Sequence, residues 1–348
     1  MEKIRYNNDY NHGAHPAVLK ALVDTNNQSF GGYSEDEMCE AAAKMIKEYI
    51  GNEEAIVHFL VGGTQANVIG LLAGLTRPYQ AIICPDSGHI NEHESGSIEA
   101  TGHKLLQLPG TDGKITAAQI DALAEVHATS EQFEHIVEPK CVYISLPTEY
   151  GTTYTLAELE AIREVCDKYG FYLFIDGARL GYGLAARSCD ITMKDLGRLA
   201  DAFYIGGTKC GAMFGEAVVL NNPELNKGFR NIMKMHGAML AKGWTMGVQF
   251  MTLFENGLYF EITDKAVRLA DQINAAFKAK GVKAFMDSAD TNQLFYILTD
   301  EQFEKLDEGF IFANMGKIGD NQTLVRFCTS WATTQEEADA LVAAVNQL

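Results

Sequence analysis

The chain has 348 residues, 47% of them hydrophobic, and a formal net charge of −18 at pH 7. That length allows one large domain plus a smaller one, each with a core, and the acidity argues against a nucleic-acid partner, which would call for a basic face. No apolar run reaches the roughly 18 residues of a membrane span. The start Met1-Glu2-Lys3-Ile4-Arg5 lacks the apolar stretch of a signal peptide. Seven scattered cysteines, never spaced as Cys-x-x-Cys, suit free thiols in a reducing cytoplasm.

Residues 1–10 lack periodicity and read as an arm against the body. His15-Pro16 opens a helix to residue 24, with the proline in the first turn. Phe30-Gly31-Gly32-Tyr33 is a glycine loop, and Ser34 with Glu37 fits a capping box for a helix reaching residue 50. Strand-like runs follow at 55–61, 81–84, 104–108, 141–146, 171–175, 202–205 and 217–220. Helical windows at 116–129, 155–169 and 193–200 separate several of them. Strands alternating with helices predict an α/β fold, a mostly parallel sheet flanked by helices.

After Pro223 the pattern is long helices to about residue 280, broken near Gly257. Apolar runs at 293–298, 309–313 and 324–328 then predict a short sheet, closed by a helix from residue 335. The expected division is an arm and large α/β domain over 1–254 and a smaller α+β domain over 255–348.

Two strand ends stand out. Phe174-Ile175-Asp176-Gly177 and Ile205-Gly206-Gly207-Thr208-Lys209 each run from an apolar strand into a polar residue and a glycine turn. In an open parallel sheet such strand ends face the ligand crevice. A carboxylate and an amine delivered there are what pyridoxal phosphate chemistry needs: the lysine forms the Schiff base, and the aspartate keeps the ring nitrogen protonated. Taken singly, Asp176 also fits a helix cap and Lys209 a solvated charge. Arg179, one turn beyond Asp176, strengthens the joint reading.

Other candidates keep two readings each. Gly62-Gly63-Thr64 joins a strand to a helix and would bind a phosphate with backbone N–H groups, or merely turn the chain. His89 could stack on a cofactor ring, be structural, or pair with His93 as a metal ligand, although no His-Glu-x-x-His order is present. Arg326 lies inside the apolar run Leu324-Val325-Arg326-Phe327 and needs an anion, either a substrate carboxylate or an intraprotein partner. Cys210, beside Lys209, reads as a packed residue.

Together Gly63-Thr64-Gln65-Ala66-Asn67, His89, Asp176-Gly177-Ala178-Arg179, Thr208-Lys209 and Val325-Arg326-Phe327 resemble the threonine aldolase family. This is the β-eliminating-lyase branch of the aspartate-aminotransferase-like (fold type I) pyridoxal phosphate enzymes. Pro147-Thr148-Glu149-Tyr150-Gly151 and Ser330-Trp331-Ala332-Thr333-Thr334 look closest to its phenylserine-aldolase-like members. The resemblance implies that Lys209 holds the cofactor, Asp176 pairs with the ring nitrogen, and His89 stacks on the ring. It implies that Gly63, Thr64 and Thr208 bind the phosphate, with Arg179 near the cofactor. Asn8, Arg179 and Arg326 would hold the substrate carboxylate.

It further implies a homodimer with shared sites, paired into tetramers, in which Tyr33 and Lys242 serve the neighbouring subunit's cofactor pocket. The family's Glu-Asn-Thr-His-Asn loop is replaced here by Pro147-Thr148-Glu149-Tyr150-Gly151. The base for the β-hydroxyl is therefore Glu149, if burial raises its pKa, or His89 through a water. The expected reaction is retro-aldol cleavage of a β-hydroxy-α-amino acid to glycine and an aldehyde. A β-eliminating lyase acting on another amino acid is the alternative, and a metal hydrolase at His89/His93 a distant one.

Overall fold

The computed structural model describes residues 3–348. Its strands in chain order are β1 (Ile4–Arg5), β2 (Ile56–Leu60), β3 (Gln80–Pro85), β4 (Lys104–Leu108), β5 (Glu138–Ser145), β6 (Tyr172–Asp176) and β7 (Ala202–Gly206). They continue with β8 (Glu216–Leu220), β9 (Lys283–Ala284), β10 (Gln293–Thr299), β11 (Phe310–Ile311), β12 (Ala313–Lys317) and β13 (Gln322–Cys328). The first helices are α1 (Pro16–Thr25), α2 (Glu37–Ile50), α3 (Gly63–Gly74) and α4 (His89–Glu92).

Seven strands form the main sheet in the order β2-β8-β7-β6-β5-β3-β4. All run parallel except β8, which opposes both its neighbours. Side chains alternate between the two faces because the strand period is two. Val142, Ile144, Leu173, Ile175, Phe203 and Ile205 enter one apolar cluster. Cys141, Tyr143, Phe174, Ala202 and Tyr204 enter the other, beneath α3. Burial on both faces explains why these strands read as continuous apolar runs.

The second sheet has the order β12-β13-β10-β9 and is antiparallel throughout. Phe277 stacks on Tyr296 with ring centroids 3.9 Å apart, in a core that also takes Phe327 and Tyr6. The helix Leu258–Ala279 buries Tyr259 and Ile262 in the large core and Ile273 and Phe277 in the small one.

Three expectations change in detail. Asp36, not Ser34, caps α2: its carboxylate accepts from the Met38 and Cys39 N–H groups at 3.0 and 2.9 Å. Tyr33 and Ser34 have φ of 60° and 62°, so they form a turn ahead of the cap. The run at 309–313 divides, β11 pairing in parallel with β1 while β12 joins the small sheet. The stretch after Pro223 divides into helices Phe229–Met235, Trp244–Phe254 and Leu258–Ala279. The last break falls at Asn256 and Gly257, with φ of 56° and 75°.

Candidate active site

The crevice lies at the carboxyl ends of β5, β6 and β7 and is lined by Gly63, His89, Glu149, Asp176, Arg179 and Lys209. Two glycines bring the turns together. A Cβ on Gly177 would sit 1.9 Å from the Tyr204 carbonyl oxygen, and one on Gly206 2.2 Å from that of Ala178. Neither position admits a side chain, so the turns bearing Asp176 and Lys209 close onto one pocket.

Asp176 is 5% exposed, and both its oxygens are occupied. Oδ1 accepts from Tyr204 OH at 2.6 Å and the Ala178 N–H at 3.0 Å. Oδ2 accepts from Tyr143 OH at 2.7 Å and Asn67 Nδ2 at 2.9 Å. Burial alone would raise its pKa, but these donors, with His89 nearby, outweigh burial and hold the carboxyl below the usual range. An ionised carboxylate fixed by four donors is a fit partner for a protonated ring nitrogen.

Lys209 is shifted the other way. Burial and the Arg179 guanidinium lower its hold on a proton, against the carboxylates of Asp9, Asp176 and Glu216. That favours the neutral amine a Schiff base requires. Glu216, at the start of β8, accepts the Gly207 N–H at 2.9 Å, and burial pushes its carboxyl up to about 8.

Arg179 carries a bidentate pair with Asp9, Nε to Oδ2 at 2.6 Å and Nη2 to Oδ1 at 3.1 Å, and Asn292 adds a bond to Oδ2 at 2.9 Å. Burial works against the Asp9 charge, yet Arg179 and Lys209 hold its carboxyl at about 2. Among the described residues Arg326 has no carboxylate partner. Its Nη1 reaches Gln293 Oε1 and its Nη2 the Asn7 carbonyl, both at 3.3 Å, and its Nε is buried without an acceptor.

His89 donates its backbone N–H to Glu149 Oε1 at 2.9 Å, and its Nδ1 meets Glu94 Oε1 at 2.8 Å. Glu94 also accepts from Asn67 at 2.7 Å and from Ser97 at 2.8 Å. An ionised carboxylate only accepts, so opposite it the Nδ1 proton belongs to the histidine. Glu149 takes Ser145 Oγ–H at 2.7 Å on Oε1, whereas Oε2 is buried without a partner. Burial raises its pKa, more than Ser145 lowers it.

Helix α3 starts at Gly63 with no side-chain cap on its first N–H groups, which leaves them for an anion. Thr208 precedes Lys209, and its hydroxyl oxygen accepts the Gly215 N–H at 3.1 Å. The uncapped helix start, the proton-shedding lysine and the saturated aspartate fit pyridoxal phosphate. The orphaned Glu149 Oε2 and Arg326 Nε fit a second, smaller polar ligand.

Other candidates fall elsewhere. Asn8 uses its amide oxygen on the Tyr10 N–H at 3.0 Å, and it is Asn7 that touches Arg326. Tyr33 and Lys242 lie on the surface and do not line the crevice. The Tyr33 N–H donates to the Ala241 carbonyl at 3.0 Å, so the two positions are neighbours. Cys210 is fully buried, and burial pushes its thiol up to about 12. Among the described residues no group of three His, Cys, Asp or Glu side chains is placed to hold a metal, and no helix is long and apolar enough to cross a membrane.

Asp9, Glu94, Tyr143, Ser145, Tyr204 and Glu216 were not singled out from the sequence as parts of the site. Glu94 stands five residues after His89, the one signal in the sequence that could have tied it to the site. The two tyrosines are hidden inside runs where they count as apolar.

A crevice at the carboxyl edge of a mostly parallel sheet, with a lysine and an aspartate from neighbouring strand ends, defines a pyridoxal-phosphate enzyme of fold type I. The beta-eliminating lyase family matches residues 16–301. The chain is 27% identical over 332 residues to the low specificity L-threonine aldolase of Pseudomonas aeruginosa, covering 94% of this chain and 93% of that one. It superposes on the threonine aldolase structure of Leishmania major with a TM-score of 0.95 and 41% identity, covering 99% of each chain. A putative L-allo-threonine aldolase from Listeria monocytogenes shares the fold at a TM-score of 0.72 and 19% identity, covering 99% of this chain and 96% of that one. The chain belongs to the beta-eliminating lyase family and is a pyridoxal-phosphate-dependent lyase.

Proposed function

We propose that this enzyme cleaves a β-hydroxy-α-amino acid of the threonine, allo-threonine or phenylserine type to glycine and an aldehyde. The observation that carries the reading is Glu149, a buried carboxyl beside Lys209 with one oxygen unpartnered and a raised pKa. The likeness to the Leishmania and Pseudomonas threonine aldolases supports it.

Pyridoxal phosphate bound through Lys209 supplies the electron-accepting ring that makes bond breaking at the substrate Cα feasible. Asp176, ionised, holds the proton at the ring nitrogen. Gly63 and Thr64 at the start of α3, with Thr208, hold the phosphate, and His89 supports the ring face. Arg326 takes the substrate carboxylate, a charge-assisted pair that also supplies its missing anion. Glu149 Oε2 accepts the β-hydroxyl proton as the Cα–Cβ bond breaks and the hydroxyl carbon becomes the aldehyde. A proton returned to Cα would complete glycine, and Lys209, with its lowered proton affinity, is the amine that would hold the cofactor again once glycine leaves.

Tyr33 and Lys242, adjacent on the surface and away from their own crevice, support a homodimer that exchanges these residues, with a tetramer as the assembled form. The seven unpaired cysteines fit a cytoplasmic location. The separate apolar cluster around β10 and β13 supports domains at 1–254 and 255–348, with the helix Leu258–Ala279 spanning both cores.

The test is a product assay on cofactor-loaded protein with L-threonine, L-allo-threonine and L-phenylserine. Glycine with the matching aldehyde is expected. Ammonia with a 2-oxo acid would move the enzyme to β-elimination and refute the aldolase reading. Light scattering at micromolar concentration tests the shared site, which a monomer would contradict.

A further inference from the structure

Strand β5 places two hydroxyls between the two acids of the site. Tyr143 and Ser145 are two residues apart and share one face of the strand, and the register sets Ser145 directly beside Asp176. The contacts form an unbroken line: Glu149 Oε1 to Ser145 Oγ at 2.7 Å, Ser145 Oγ to Tyr143 OH at 3.2 Å, and Tyr143 OH to Asp176 Oδ2 at 2.7 Å. Every member is buried except Glu149, which is half-buried.

Counting protons shows what this line does. It has three links but only two hydroxyl protons when both acids are ionised. Tyr143 must donate to Asp176, and Ser145 to Glu149, which leaves the Ser145–Tyr143 link empty. One added proton fills all three links. If it sits on Glu149 Oε1, Glu149 donates to Ser145, Ser145 to Tyr143, and Tyr143 to Asp176. If it sits on Asp176, all three hydrogen bonds reverse direction. An unfilled buried link is unfavourable, and filled chains strengthen one another.

We propose that Glu149 and Asp176 share a single proton through Ser145 and Tyr143, so that the two acids titrate as one unit. The inference rests on the aldolase reading only for what Glu149 does with substrate. Burial raises Glu149, and the donors around Asp176 lower it, so the resting proton lies on the Glu149 side. When Glu149 is ionised and ready to act as the base, the middle link opens. When the proton taken up at Oε2 passes to Oε1, Ser145 turns to Tyr143 and the bond from Tyr143 to Asp176 tightens. Ser145 and Tyr143 are thereby positioning residues that couple proton transfer at the substrate to the acid beneath the ring.

The other charged groups around Glu149 are His89 and His93 beyond β3, Asp176 and Arg179 beyond β6, Lys209 beyond β7 and Arg326 on β13, with Asp86 and Glu92 at the mouth. Of these only Asp176 loses a contact when Tyr143 is changed, because Tyr143 touches Asp176 and Ser145 but not Glu149.

The experiment compares wild type, Tyr143→Phe, Ser145→Ala and Glu149→Gln as cofactor-loaded enzymes. Difference infrared spectra without substrate should show a protonated-carboxyl stretch that Glu149→Gln deletes and Tyr143→Phe shifts. In kcat/KM against pH, Tyr143→Phe should move the acidic limb toward lower pH by roughly half to one unit, the worth of one lost hydrogen bond. An unshifted infrared band with an unmoved limb, or a limb moved toward higher pH, would overturn the sharing. Should Tyr143→Phe not fold, Ser145→Ala must shift the same infrared band, and an unshifted band overturns the proposal equally. An enzyme that yields no glycine but shows the shifted band would break the aldolase reading and leave the shared proton standing.

Discussion

The floor and the wall of the crevice treat their polar atoms differently. On the floor, Asp176 has both oxygens filled, and Arg179 is clamped by Asp9. On the wall, Glu149 keeps a buried oxygen and Arg326 a buried nitrogen without partners. The difference follows the lifetime of what each surface holds. A permanent cofactor is best met by groups locked in place beforehand, because ordering them costs nothing at each turnover. On the proposed function a transient substrate would supply the partners that the wall lacks, its carboxylate meeting the guanidinium that has no anion among the described residues.

Substitutions on the two surfaces should therefore fail differently. Lys209→Ala should abolish turnover and the visible absorption of the loaded protein while leaving the fold intact; a retained band would refute the lysine assignment. Arg326→Gln should lower kcat/KM by roughly 10²–10⁴-fold, the worth of two charge-assisted hydrogen bonds. Its unfolding free energy should stay within about 0.5 kcal/mol of wild type. A large stability loss there would erase the distinction between floor and wall.

Asp9→Asn should behave oppositely, leaving a buried guanidinium unpaired at about 3–5 kcal/mol of stability in denaturant unfolding. The folded pKa of about 2 lies below the ordinary 3.8, so the Asp9 contribution is complete above 3.8 and fades between 3.8 and about 2. The gap between wild type and variant should close over that interval on acidification. A gap that stays constant down to pH 2 would place the loss elsewhere than in the charge.

Glu216→Gln should give the smallest change at pH 4.5 and below, and a growing one above it. With a folded pKa of about 8 against 4.5, the folded protein holds a proton that the unfolded chain releases between those values. Wild-type stability should thus fall relative to the variant as pH rises from 4.5 to 8, by at most about 1.4 kcal/mol per pH unit. Parallel stability curves would show that Glu216 ionises normally.

Much of this was legible in the chain. The apolar runs ending in Asp176-Gly177 and Gly206-Gly207-Thr208-Lys209 carried both the sheet edge and the chemistry, because a strand buried on both faces has no other reason to end in a charge. Partners distant in sequence were not legible. Nothing near Asp9 announces that Arg179, 170 positions away, will clamp it. Tyr143 and Tyr204 were concealed for a different reason: a tyrosine satisfies the apolar pattern with its ring while its hydroxyl does polar work at the buried end. The cap of α2 was misplaced because two acceptors, Ser34 and Asp36, each stand three residues before a plausible first-turn partner. Only the left-handed turn at Tyr33 and Ser34 decides between them.

The pairing of β1 with β11 has a consequence for how the enzyme is made. The arm is made well before its partners, yet Ile4 and Tyr6 bond to Gly309 and Ile311, and the Asn7 carbonyl meets Arg326. Three hundred residues must be synthesised before the opening segment finds its place. A nascent chain can assemble the strand ends bearing Asp176 and Lys209 before the segment with Arg326 is made, so the side of the crevice proposed to hold the substrate is completed after the cofactor side.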